Sequence, residues 1–166
     1  MVRIGILTAS DKGASGDRPD TSGDVIARAA AGAGHTVTVR AIVPDERQQI
    51  ADTLRHWCDD ALCEVIMTTG GTGLTPRDVT PEATRDVAER DVPGIPVALV
   101  ASGLAKTPFA ALTRGIAVTR GRTLIVNLPG SPKAVDEGME VLLPLLDHIG
   151  GLLAGPVEHE GGDARQ

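Results

Sequence analysis

Aromatic side chains are almost missing from this chain: Trp57 and Phe109 are the only two in 166 residues. A core built from it has to be aliphatic, made of Val, Ile, Leu and Ala. Platforms for stacking successive bases are missing with them, which argues against single-stranded nucleic acid as a ligand. There is no run of Lys or Arg, and the formal net charge is −6, so no face suits duplex phosphates. A ligand with several phosphates would be repelled by the molecule as a whole. It needs local compensation from backbone N–H groups, a few cations or a metal. Cysteine is scarce too. Cys58 and Cys63 have no second pair and no suitably spaced histidine to complete a zinc site. Two buried free thiols in a reducing compartment are expected. His35, His56, His148 and His159 share no metal-ligand spacing. No apolar run reaches the length of a membrane span, and Val2–Leu7 is too short for a signal peptide. The expected location is the cytoplasm, with neither nucleic acid nor membrane as partner.

What is present is a chain of ordinary globular composition, 42% hydrophobic and 23% charged. Its length suits a single domain over residues 1–154, followed by a Gly-rich, charged tail over 155–166 that is expected to be disordered. Val2–Thr8, His35–Val43 and Glu64–Thr69 read as strands. Ser10–Pro19 reads as a loop. Ser22 is placed to cap an Ala-rich helix, Asp45 to cap one from Glu46 to about Ala61, and Thr80 one from Pro81 to about Arg90. Pro96–Leu104 is a further helix, apolar all round. Ile116–Thr119 and Thr123–Leu128 flank Arg120-Gly121-Arg122 as a hairpin. Ser131-Pro132 opens a long helix towards Ile149, which Pro144 should kink. Strands alternate with helices, so the expected fold is α/β with a mainly parallel sheet covered on both faces, made mixed by the hairpin.

Ligands of such sheets bind outside the carboxyl ends of the strands. Three loops there carry the chemistry. Gly70-Gly71-Thr72-Gly73 follows a strand, where glycines let backbone approach a ligand and turn N–H groups towards an anion. The turn has neither the GxGxxG spacing of dinucleotide folds nor the Gly-Lys-Ser/Thr ending of a P-loop. Asn127-Leu128-Pro129-Gly130-Ser131 leads into a helix N-terminus, a second anion site. The loop after the first strand holds Ser10, Asp11 and Asp20. Asp45 and Asp78 also stand at strand ends. Two carboxylates beside a phosphate make sense with Mg²⁺ between them, although a helix cap for Asp45 and a turn or an ion pair with Arg77 for Asp78 explain each singly. Ser102 lies outside any Gly-x-Ser-x-Gly context, so acyl transfer has no support.

Together, Thr68-Thr69-Gly70-Gly71-Thr72-Gly73, Arg77-Asp78-Val79-Thr80-Pro81-Glu82-Ala83-Thr84 and Asn127-Leu128-Pro129-Gly130-Ser131-Pro132-Lys133-Ala134-Val135 resemble the MogA/MoaB family of molybdenum cofactor biosynthesis. Ser10-Asp11-Lys12, Asp20-Thr21-Ser22-Gly23 and Val43-Pro44-Asp45-Glu46 match more weakly. The resemblance runs from Val2 to about Leu153. It implies a three-layer α/β/α sandwich, usually a homotrimer. It also implies transfer of AMP from ATP, with Mg²⁺, to the terminal phosphate of molybdopterin, releasing pyrophosphate, and hand-over of the product to a molybdate-insertion protein. The family's two functional aspartates fall on Asp45 and Asp78. Its binding loops fall on Ser10 and Asp11, on Thr69, Gly70, Gly71, Thr72 and Gly73, and on Asn127, Pro129, Gly130 and Ser131. Lys12 stands where many members have arginine, which keeps the charge but loses the bidentate fork. The chain also lacks the insertion that some MogA proteins carry after the Asn-Leu-Pro-Gly loop, and in this it is closer to the MoaB branch, some members of which are inactive. The alternative is therefore a non-catalytic molybdopterin-binding or carrier protein.

Overall fold

The computed structural model describes residues 1–155. The expectation of a disordered tail falls on residues 156–166, outside the described residues. Six strands form one sheet: β1 (Arg3–Ala9), β2 (Thr36–Val43), β3 (Val65–Thr69), β4 (Arg90–Asp91), β5 (Ala117–Arg120) and β6 (Thr123–Leu128), in the order β2-β1-β3-β6-β5-β4. The first four in that order run parallel, while β5 pairs antiparallel with both β6 and β4. The mainly parallel, mixed sheet is as expected, and so is the hairpin, whose register sets Arg120 opposite Thr123 across Gly121-Arg122.

The period-two alternation of the strands splits the aliphatic side chains into two cores. Ile4, Ile6, Val65, Met67, Leu124, Val126 and Leu128 face one side. There they pack against α2 (Thr21–Gly32), α5 (Gly94–Leu104) and α6 (Pro132–Ala154). Leu7, Ala9, Ile66 and Ile125 face the other side, against α3 (Arg47–Asp59) and α4 (Thr80–Arg85). This is the three-layer α/β/α sandwich. Trp57 lies in the second core, on the α3 side, above the position where Gly5 has no side chain. Cys58 and Cys63 are buried free thiols there, and burial pushes them up to about 11 and about 12. Among the described residues no helix is long and apolar enough to cross a membrane.

Several local expectations are corrected. The segment Ser10–Pro19 is not all loop: Asp11–Ala14 forms a short helix, α1, capped by Ser10. Asp20, not Ser22, caps α2, its Oδ1 accepting from the Gly23 N–H at 3.0 Å. Glu46 holds the cap position of α3 without a side-chain bond, because Asp45 is engaged elsewhere. Val79 is the cap position of α4, and Thr80 is already helical. That helix stops at Arg85 rather than near Arg90, since Glu89 and Val92 donate to Thr119 and Ala117 and draw Arg90 into β4. Here sheet pairing overrides helical propensity. Finally, α6 runs unbroken through Pro144 and continues past Ile149 to Ala154. A 3₁₀ helix over Pro108–Leu112 was not anticipated.

Candidate active site

The chain goes from β1 outwards to β2 and then returns to β3 on the other side of β1, so the strand order reverses between β1 and β3. That switch point opens a crevice at the carboxyl ends of the two strands. The Gly70–Gly73 turn closes over it. Gly70 has φ +90°, and a Cβ there would lie 2.3 Å from the carbonyl oxygen of Ala9, the last residue of β1. Gly71 has φ +65°, and a Cβ there would meet Thr80 Oγ1 at 2.3 Å and Asp45 Oδ1 at 3.3 Å. The turn needs glycine for both conformation and space.

Two cavities meet at this turn. A polar one of about 520 Å³ is lined by Ser10, Asp45, Thr69, Gly70, Gly71, Asp78 and Gly130, together with Thr8, Arg18 and Asp20. An apolar one of about 480 Å³ is lined by Thr72, Gly73, Asn127, Pro129 and Ser131, with walls from α5, the 3₁₀ helix and α6. Both reach Gly71, Asp78 and Gly130. The structure thus brings twelve of the thirteen residues singled out in the sequence to the walls of the two cavities. Asp11 is the exception, standing behind Asp45. Its backbone N–H donates to Asp45 Oδ2 at 3.0 Å, and the Asp45 N–H returns a bond to Asp11 Oδ1 at 3.0 Å. Arg77 forks onto Asp11 at 2.8 to 3.1 Å and pairs with Glu46. The Arg77 guanidinium, followed by the Asp45 N–H, holds the Asp11 carboxyl below its ordinary range.

The two site aspartates differ. Burial pushes the Asp45 carboxyl up, and the charges of Asp11 and Asp78 add to it against the opposing Asp11 N–H and Arg77. Burial would push Asp78 up as well, but the hydroxyl and N–H of Thr75, with the Gly73 N–H, outweigh it and hold the carboxyl down. Thr75 Oγ1 and N donate to Asp78 Oδ2 at 2.7 and 2.9 Å.

Oxygen donors of this kind suit Mg²⁺, which takes one or two carboxylates and completes its shell from phosphates and water. The fit is electrostatic as well. Among the described residues Arg18 is the one cation lining the polar cavity, against Asp20, Asp45 and Asp78, and Asp45 is a carboxylate raised by burial among negative neighbours. The hydroxyl of Thr80, buried beneath Gly71, has no hydrogen-bond partner among the described residues. Among them, too, no three His, Cys, Asp or Glu side chains converge, so the protein offers an aspartate pair rather than a full cage.

Other side chains are spent on architecture. Thr69 Oγ1 donates to Pro129 O at 2.7 Å and ties the second loop to the third. Asn127 donates to Thr68 Oγ1 at 3.0 Å and Thr84 Oγ1 at 2.9 Å, and accepts from the Ile116 N–H. Ser131 Oγ caps α6 by accepting from Ala134 N. Asp20, which the sequence placed in the first loop with Ser10 and Asp11, lines the polar cavity. Its side chain, 5% exposed, accepts from Thr8 Oγ1 at 3.0 Å and pairs with Arg40 at 2.6 Å. Arg18 and Arg114 carry no local signal.

Residues 5–148 match the family described as a probable molybdopterin binding domain. The chain is 41% identical over 94% of its length to the molybdenum cofactor synthesis protein cinnamon of Drosophila melanogaster, but spans only 26% of that protein. It is 36% identical to the molybdopterin adenylyltransferase of Helicobacter pylori, covering 93% of this chain and 89% of that one. Among solved structures, the molybdopterin biosynthesis enzyme MoaB of Thermus thermophilus is 51% identical and superposes with a TM-score of 0.87, over 94% of this chain and 98% of that one. With a matching family over most of its length and a fold shared with MoaB, the chain belongs to the MogA/MoaB family of molybdopterin-binding proteins.

Proposed function

We propose that the protein is a molybdopterin adenylyltransferase, joining AMP from ATP to the terminal phosphate of molybdopterin and releasing pyrophosphate. The observation that carries this reading is the meeting of two cavities at Gly71, Asp78 and Gly130. A reaction between two phosphates needs two ligands brought end to end, and this arrangement supplies it. The apolar cavity suits a ring system and the polar one suits phosphates. An oxygen of the molybdopterin phosphate attacks the α-phosphorus of ATP. The new P–O bond forms as the bond to the β-phosphate bridging oxygen breaks, and the electron pair leaves with pyrophosphate. The protein needs no side-chain nucleophile for this. It binds, orients and offers the N–H groups of the glycine turn and of the start of α6 to the phosphates.

Asp45 and Asp78 would hold Mg²⁺, with Thr75 fixing Asp78 and Asp11 fixing Asp45. When bound there, Mg²⁺ supplies neutralisation of the triphosphate and of the departing pyrophosphate. The reading puts the reaction in the cytoplasm, the compartment that suits two free buried thiols. It extends to a homotrimer that hands its product to a molybdate-insertion protein. Val97 of α5 is 67% exposed and Phe109 is 76% exposed, and apolar side chains of that size suit burial in an assembly. Sedimentation analysis tests the trimer.

The test of the activity is incubation with molybdopterin and MgATP, assaying adenylylated molybdopterin and pyrophosphate. Asp78→Ala should abolish the product while leaving the fold and molybdopterin binding intact. Unchanged turnover in that variant refutes the assignment. Molybdopterin binding by the parent without pyrophosphate release favours the carrier reading instead.

A further inference from the structure

Arg114 lies far from Asp78 in sequence, between the 3₁₀ helix and β5, yet it grips the loop that carries Asp78. Its Nε donates to the carbonyl of Gly73 at 2.7 Å and its Nη2 to the carbonyl of Asp78 at 2.6 Å. Its backbone N–H donates to Thr72 O at 2.9 Å. Glu82 of α4 pairs with the guanidinium from the other side. Gly73 and Asp78 are the two ends of one loop, and one planar cation bonds both. Within that loop Thr75 holds the Asp78 carboxylate. The neighbours Thr113 and Gly115 line the apolar cavity, so the same clamp joins that cavity's wall to the carboxylate.

We infer that Arg114 is a positioning residue for Asp78, fixing its carboxylate relative to the wall of the apolar cavity by bridging the carbonyls of Gly73 and Asp78. The inference rests on the adenylyl-transfer reading for its kinetic consequence, but not for its structural one. Arg114 is 34% exposed in its side chain and lines neither cavity, so it acts through Asp78 and not on the ligand. Only a planar fork can bridge two carbonyls in this way while pairing with a carboxylate. A lysine ammonium keeps the charge and loses that geometry.

The experiment compares the parent with Arg114→Ala and Arg114→Lys in two arms. In the ligand-free protein, amide hydrogen exchange is read at Thr75 and, as a control for general loosening, at Met67 and Val126 in the central strands. In the second arm, kcat, KM for molybdopterin and the Mg²⁺ concentration giving half-maximal rate are measured. For Arg114→Ala, exchange at Thr75 should speed up by about tenfold or more, the equivalent of losing one charge-assisted hydrogen bond, with the central strands unchanged. The same variant should lose about 100-fold in kcat, as expected of a catalytic group displaced by an ångström. It should also need more Mg²⁺, with KM for molybdopterin little altered. Arg114→Lys should recover kcat only in part, and it supplies both arms if the alanine variant fails to fold. Parental exchange at Thr75, a parental Mg²⁺ dependence, or equal acceleration at Thr75, Met67 and Val126 overturns the inference. If the parent itself makes no adenylylated product, the functional reading falls, and the exchange arm alone decides whether Arg114 clamps the loop.

Discussion

Replacing Gly70 with alanine puts a single methyl group against the backbone at the switch point of the sheet. Two costs follow from the geometry. The residue has φ +90°, and an L side chain in the left-handed region costs about 1–2 kcal/mol. The new Cβ would also stand 2.3 Å from Ala9 O, well inside ordinary contact. Ala9 is paired with Val43 in the sheet, and the contact is backbone, so no rotamer can relieve it. Overpacking of this kind costs about 1–3 kcal/mol. Together they amount to about 2–5 kcal/mol, or a fall in melting temperature of roughly 5–15 °C for a chain of this size. Thermal unfolding measures it. Gly32→Ala is the internal control: it lies at the end of α2 with nothing within 4 Å of its Cβ position, and should gain about 0.4–1 kcal/mol through the unfolded state. If Gly70→Ala melts with the parent, the close approach of the turn to β1 is wrong, and with it the shape proposed for the polar cavity.

Two further substitutions separate function from stability. Asp45→Asn keeps an acceptor for the Asp11 N–H and removes a charge that burial opposes. The Asp45 carboxyl is raised in the folded state, so its protonated form favours folding below the ordinary carboxylate pKa, and that contribution is lost as pH rises through the folded value. At pH 7 the variant should therefore melt no lower than the parent while losing adenylyl transfer and any Mg²⁺-induced rise in melting temperature; a clear loss of stability at pH 7 refutes the burial argument. Asn127→Ala strands Thr68 Oγ1 and Thr84 Oγ1 in the core and frees the half-buried Ile116 N–H. At about 1–3 kcal/mol for each of the two buried hydroxyls left unpaired, denaturant unfolding should show a loss of at least about 2 kcal/mol, and a smaller loss would mean that Asn127 is free to serve a ligand.

Much of the fold could be read from the chain because its signals are local. Short β-branched runs, glycine stops and the period of Ile50, Leu54 and Trp57 depend on neighbours in sequence. The sequence reading failed where a distant partner decides. Arg90 is drawn out of a helix by Thr119 and Ala117 of a strand far along the chain. Asp45 stands at a good capping position but is taken by Asp11, and the cap of α2 passes to Asp20, which also answers Thr8 and Arg40. The site shows the same division. Its glycines and aspartates stand in loops whose sequence pattern is specific, while Arg114 is silent, because its partners in the glycine turn and the Asp78 loop lie 41 and 36 residues away in sequence.

The acidic character of the molecule also acquires a reason. A site for a triphosphate, as proposed here, is ordinarily basic, yet with Asp20 paired to Arg40 the polar cavity sets Arg18 against the two carboxylates Asp45 and Asp78. On the adenylyl-transfer reading, that pair would make phosphate binding depend on a divalent cation, since two facing carboxylates cost energy alone and gain it when neutralised. Gly70 enters the same argument. The reversal of strand order between β1 and β3 leaves a crevice at the carboxyl ends of those strands. Gly70 lines the polar cavity and not the apolar one. An alanine at position 70 therefore does more than strain a turn: it displaces a wall of the polar cavity and leaves the apolar one in place. With the triphosphate in the polar cavity as proposed, its effect on ATP affinity should exceed its effect on molybdopterin affinity, a difference that isothermal titration of the two ligands against the parent and Gly70→Ala would measure directly, with equal losses for both ligands counting against that division of the two cavities.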